Sequence, residues 1–176
     1  QGGILRYITR HIQVPINMTR FAFPDIKCFN NIYGYILKDN NWERLKFVAF
    51  NGDSYFLRRC YAPEGYFGKE ATRDLRKLFT ILHENADEFM STDVEPLIPN
   101  HIPGVFVNRF KGEQKTVWTV FNANYRTARG KLLDIAAKPG TRYVDLWNDT
   151  PVTMEAASLM VELAPRDVAV IAEIPE

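Results

Sequence analysis

The sequence is sparing in the residues that staple, ligate or steer. Its 176 residues contain two cysteines, Cys28 and Cys60, too few for a disulfide-built scaffold. They can form one bridge or stay as two buried thiols, and no Cys/His spacing suited to a metal is present. The three histidines, His11, His83 and His101, are scattered, which leaves a His-based metal site or a nucleophile triad without support. Neither sign of charge is in surplus: 22 Lys and Arg face 21 Asp and Glu, a formal net charge of +1. That balance offers nothing to nucleic acid or to an anionic membrane. No apolar run approaches the ~18–20 residues that span a bilayer. There is no Gly-rich phosphate loop, Ser54 lacks a Gly-x-Ser-x-Gly elbow, and no internal repeat appears. The chain opens Gln1-Gly2-Gly3, as expected of a processed protein or of the C-terminal piece of a longer one.

What remains is an ordinary globular composition, 46% hydrophobic and 24% charged, enough to bury a real core. Aromatic residues make up 13%, with 12 Phe and 8 Tyr. Core packing accounts for most such rings, although a ring face also suits the C–H face of a sugar.

Periodicity divides the chain. Ile4, Leu5, Ile8 and Ile12 have helical spacing up to Pro15. Phe21 and Phe23 alternate, so Thr19–Phe23 is expected as a short strand ending at Pro24-Asp25. Trp42, Leu45, Val48 and Ala49 share one helical face, and Gly52 is placed to close that helix in the left-handed conformation. Ser54–Leu57 fits a strand or a loop. Between Glu70 and Phe89 an apolar stripe of Ala71, Leu75, Leu78, Phe79, Leu82, Ala86 and Phe89 predicts one long amphipathic helix. It should pack on the front-half strands. Pro96, Pro99 and Pro103 then forbid helix and mark a linker.

After Gly104 the period shortens to two. Strands are expected at Val105–Val107, Thr116–Phe121, Lys131–Ile135, Arg142–Trp147, Ala156–Leu163 and Asp167–Ile174, with turn residues between them. Short strands so spaced predict an antiparallel β-sandwich over 105–176, with Trp118 and Trp147 in its core.

The order of Phe50-Asn51-Gly52-Asp53, the Leu75–Phe89 helix, Glu95-Pro96-Leu97-Ile98-Pro99, Val107-Asn108-Arg109-Phe110, Val117-Trp118-Thr119-Val120-Phe121-Asn122 and Tyr143-Val144-Asp145-Leu146-Trp147 resembles the C-terminal end of α-galactosidase-like glycoside hydrolases. In those enzymes a (β/α)8 barrel is followed by a small antiparallel sandwich. The resemblance implies an α+β fold: residues 1–98 as the last βα units of a barrel-like catalytic domain, and 105–176 as a C-terminal β-sandwich. A whole barrel takes about 250 residues, so earlier units and a catalytic carboxylate would lie upstream. The implied partners are carbohydrate and that upstream segment, with no cofactor and no metal. A non-enzymatic module binding glycan or protein is the alternative.

Two carboxylates stand out as candidate catalytic groups. Asp53 follows Asn51-Gly52 beside Tyr55 and Phe56; Asp25 follows the expected strand, where barrel enzymes hold their catalytic residues. A glycosidase pair stands ~5–9.5 Å apart. Asn51, Tyr55 and Trp42 are the matching candidates for substrate binding. The competing readings are plain: a turn or helix cap for Asp53, a turn for Asp25, and core for the rings.

Overall fold

The computed structural model describes residues 16–32, 43–57, 68–136 and 138–175. The helix expected over 4–12, together with Trp42 and Cys60, lies outside them. In chain order the elements are α1 (Met18–Ala22), β1 (Phe29–Ile32), α2 (Glu43–Asn51), β2 (Ser54–Leu57), α3 (Gly68–Glu84), α4 (Ala86–Met90) and β3 (Val94–Glu95). They continue with β4 (Val105–Lys111), β5 (Thr116–Asn122), β6 (Ala128–Asp134), β7 (Thr141–Asp145), β8 (Thr150–Val152), β9 (Met154–Glu155), β10 (Ser158–Leu163) and β11 (Val168–Pro175).

The C-terminal half is the expected sandwich. One sheet has the order β3-β4-β5-β11-β7-β8 and faces a smaller one, β6-β10-β9, with every pairing antiparallel. The large sheet already begins at Val94, upstream of the proline-rich stretch, where β3 pairs with β4. Glu95 and Arg109 form an ion pair across that pairing. The front half contributes one βαβ unit, in which β1 and β2 run parallel on either side of α2. Together these are an α+β fold.

Alternation along β5 and β11 explains how the halves join. Trp118, Val120, Ala169 and Ile171 point to the small sheet, where they meet Leu132, Leu133 and Leu159. Val117, Phe121, Val168, Val170 and Ala172 point the other way and share a second core with Leu45, Phe50, Leu78, Ile81 and Phe89. The large sheet is therefore covered on both faces, and β5 is buried at every position. Such a strand loses the polar-out alternation of a half-exposed sheet. Trp118 lies in the sandwich interior as expected; Trp147 is equally buried but in the helix-facing core.

The C-terminus of α2 is tied to this sheet directly. The Phe50 carbonyl, one of the acceptors a helix end leaves open, accepts from Asn108 Nδ2 at 2.8 Å and from the Thr119 hydroxyl. Gly52 has φ +62°, and the Asp53 N–H to Val48 O and Gly52 N–H to Ala49 O bonds make the Schellman closure.

Two expectations about helices also need correction. The expected strand over Thr19–Phe23 is instead the helix Met18–Ala22, with Phe23 as its C-cap. Phe21, inside the helix, is buried, while Phe23 leaves the helical range at its C-terminus and is 58% exposed. The long helix is also interrupted at Asn85, whose amide donates to the Ile81 carbonyl at 2.8 Å and whose φ of −121° leaves the helical range. Its stripe packs on the shared core beneath the large sheet, with Ile81 buried and Phe79 and Leu82 partly so.

Candidate functional site

A polar cluster gathers at the N-terminal ends of β1 and β2. The backbone N–H of Ser54 donates to the Cys28 carbonyl at 3.1 Å and sets the two strand starts side by side. Asn17, at the start of α1, reaches across. Its side-chain amide donates to Asp53 Oδ2 at 2.8 Å, and its backbone N–H donates to Asn51 Oδ1 at 2.7 Å. Asn51 is held in place by its own amide, which donates to the Phe47 carbonyl at 2.7 Å. Arg20, fully buried, donates to the Phe89 carbonyl at 2.6 Å and lies 5.5 Å from the Phe110 ring centroid. Lys27 donates to the same carbonyl at 3.0 Å. The C-terminus of α4 thus receives two cations where a helix end carries partial negative charge.

Electrostatics inside the cluster are mutual. Burial lowers the Arg20 guanidinium from its ordinary value, while Asp53 and Cys28 oppose that shift. Burial, then the Asp53 carboxylate, raises the Cys28 thiol; Asn17, Arg20 and Lys27 pull it back. Asp53 is 3% exposed. The arrangement compensates a buried carboxylate with a buried guanidinium and amide donors, which is what keeps such charges tolerable in a protein interior. Among the described residues no group of three His, Cys, Asp or Glu side chains is placed to hold a metal ion.

The sequence-derived site residues separate on this map. Asn51 and Asp53 come together in the cluster. Tyr55 belongs to the hydrophobic core with Phe47 and Leu45, because β2 turns it inward. Asp25 is exposed in the turn after α1, near Lys27. It follows a helix, so the expectation that it ends a strand falls with the Thr19–Phe23 assignment. Trp42 lies outside the described residues. Sequence reasoning missed Asn17, Arg20 and Cys28, whose part depends on chain-distant contacts with no local pattern.

Asp53 precedes β2 rather than following it. In parallel β/α folds ligands meet the C-terminal ends of strands, and the N-terminal side serves stability. The C-terminal ends here, Ile32 and Leu57, lead into 33–42 and 58–67, outside the described residues. Elsewhere, an open hollow of about 610 Å³ runs along α3, lined by Thr72, Arg76, Phe79, Thr80, His83 and Glu84.

The fold has counterparts among solved structures. An Anoxybacillus α-amylase superposes with a TM-score of 0.58 at 16% identity, covering 84% of this chain and 37% of its own. The α-amylase of Geobacillus thermoleovorans, complexed with acarbose, gives 0.59 at 14% identity, over 84% of this chain and 38% of its own. α-Galactosidase I from Mortierella vinacea gives 0.52 at 8% identity, over 76% and 35%. The chain therefore spans little more than a third of these glycoside hydrolases. No protein-family profile matches the sequence, and no curated protein does.

Proposed function

We propose that this chain is the C-terminal part of a glycoside hydrolase, in which the β1-α2-β2-α3 segment completes a catalytic barrel and the sandwich braces it. The observation that carries the reading is the parallel β1–β2 pair. Parallel strands are stable when a sheet continues on both sides and both faces are covered, yet among the described residues this sheet has two strands. Met18, Phe23, Ile26, Phe29 and Met90, all in the front half, are more than half exposed. Apolar side chains of that number suit coverage by further chain. The fold likeness to amylases and galactosidases supports the same assignment.

In this reading Asp53 anchors the floor of the barrel, and the substrate-facing groups stand at the opposite ends of the strands. Carbohydrate is the substrate class. The test is the reading frame upstream of Gln1. It is expected to run on for ~200 residues or more with further βα units, and its product to hydrolyse an α-glycoside. A frame that opens close to Gln1, encoding a soluble monomer without such activity, overturns the proposal. Asp53→Asn in the active product should lower stability and leave kcat of the folded fraction near wild type. A folded Asp53→Asn enzyme with kcat lowered by about a hundredfold or more would return Asp53 to catalysis.

A further inference from the structure

Tyr125 is 87% exposed, more than any other large hydrophobic residue described. Its turn is nevertheless among the most firmly tied segments of the molecule. Asn122 Oδ1 accepts from the backbone N–H and the side-chain amide of Asn124, both at 3.0 Å. Asn122 Nδ2 lies 2.9 Å from both the Arg126 and Ala164 carbonyls. Asn124 Nδ2 donates to the Pro103 carbonyl at 3.0 Å, and its own carbonyl accepts from the Arg166 N–H at 3.1 Å. The backbone that carries this surface aromatic is fixed before anything binds.

Arg166 completes the arrangement. Its guanidinium carbon sits 5.1 Å from the Phe121 centroid and 5.4 Å from that of Tyr125, and Nη1 donates to the Ala123 carbonyl at 3.0 Å. One side of the Tyr125 ring is thus propped by a fixed cation, while the ring as a whole remains open to water. Arg166 has φ +54° after Pro165, a turn position where Gly or Asn is usual. A side chain kept at such a strained place points to a role for that side chain.

We propose that Tyr125 is a stacking platform for one ring of a neutral saccharide. The inference rests on the carbohydrate reading above. A lone flat ring matches the apolar face of a single pyranose. A protein partner would need a broad patch with an apolar centre, and among the described residues the other exposed large hydrophobics lie at Met18, Phe23, Ile26, Phe29, Met90 and Leu97, outside this turn. Arg126 and Thr127, exposed beside it, offer donors to ring hydroxyls.

The experiment is titration of the ¹⁵N-labelled 176-residue chain with maltotriose and, separately, with melibiose. Saturable shifts at the Asn124–Thr127 amides are expected, and which sugar produces them identifies a glucoside or a galactoside. Tyr125→Ala should weaken the response by about tenfold or more, and Tyr125→Phe should stay within about twofold, because the stacking face is retained. Both variants should melt with wild type. Silence with both sugars, or shifts that persist in Tyr125→Ala, would overturn the platform. Either result leaves the hydrolase assignment standing, since that depends on the upstream frame.

Discussion

Gly52 answers two demands that a residue with a side chain cannot meet. Its φ of +62° is left-handed, and a Cβ there would stand 2.7 Å from Phe89 Cδ1 and 2.9 Å from Phe110 Cζ. Gly52→Ala is expected to cost about 2–4 kcal/mol, backbone strain plus overpacking, read by urea unfolding. Asp145 is a second such position. It is buried, and its Oδ1 accepts from the backbone N–H groups of Trp147 at 2.9 Å, Val170 at 3.0 Å and Asn148 at 3.3 Å, while Oδ2 accepts from Asn148 Nδ2 at 2.7 Å. Burial pushes its carboxyl up, and those four donors pull it back. Asp145→Ala should cost about 3 kcal/mol or more, because three backbone donors lose their acceptor. Asp145→Asn should cost less, since one carbonyl oxygen remains; equal losses in thermal melts would contradict the account. Gly52 was legible in the sequence because a helix stop follows from its neighbours. Asp145 was not, since three of its donors are set by a turn and one by a strand 25 residues away.

Among the elements, the strands were readable where side chains of one kind recur every second residue and turn residues intervene. All six expected strands are present, with shifted ends. The short β3, β8 and β9 escaped notice because two or three residues carry no period. The helix over Met18–Ala22 was misread for a related reason: Phe21 and Phe23 mimic the period of a strand, and five residues are too few to show a helical one. The amphipathic stripe of α3 was plain, and its break at Asn85 was not, because the competing amide bond is invisible in a hydrophobic pattern. Leu78, 1% exposed, sits at the centre of that stripe. Leu78→Asp should bury an unpaired charge and cost more than about 4 kcal/mol, enough to remove the near-UV circular dichroism signal of the native protein. A variant that melts within a few degrees of wild type would show α3 to be dispensable.

At the scale of the whole molecule, the sheet covered on both faces decides what can be separated from what. Sequence periodicity marked two halves but could not show that they share a core, because β5 and β11 read as apolar whichever face is buried. Residues 92–176 expressed alone would uncover Phe110, Val117, Phe121, Val168 and Val170. That piece is expected to aggregate or to bind a hydrophobic dye strongly, whereas the intact chain should unfold in one cooperative step. A well-behaved isolated sandwich would mean that the helix-facing contacts contribute little. The two tryptophans of the C-terminal half make the question optical. Trp118 is sealed between the sheets and Trp147 under the helices, 5% and 8% exposed. With Trp42 replaced by Phe, and one of the other two likewise, each single-tryptophan protein carries a lamp on one side of the same wall. Emission from Trp147 alone would redden if the helices lifted while the strands stayed paired, and both would redden together if the wall itself gave way.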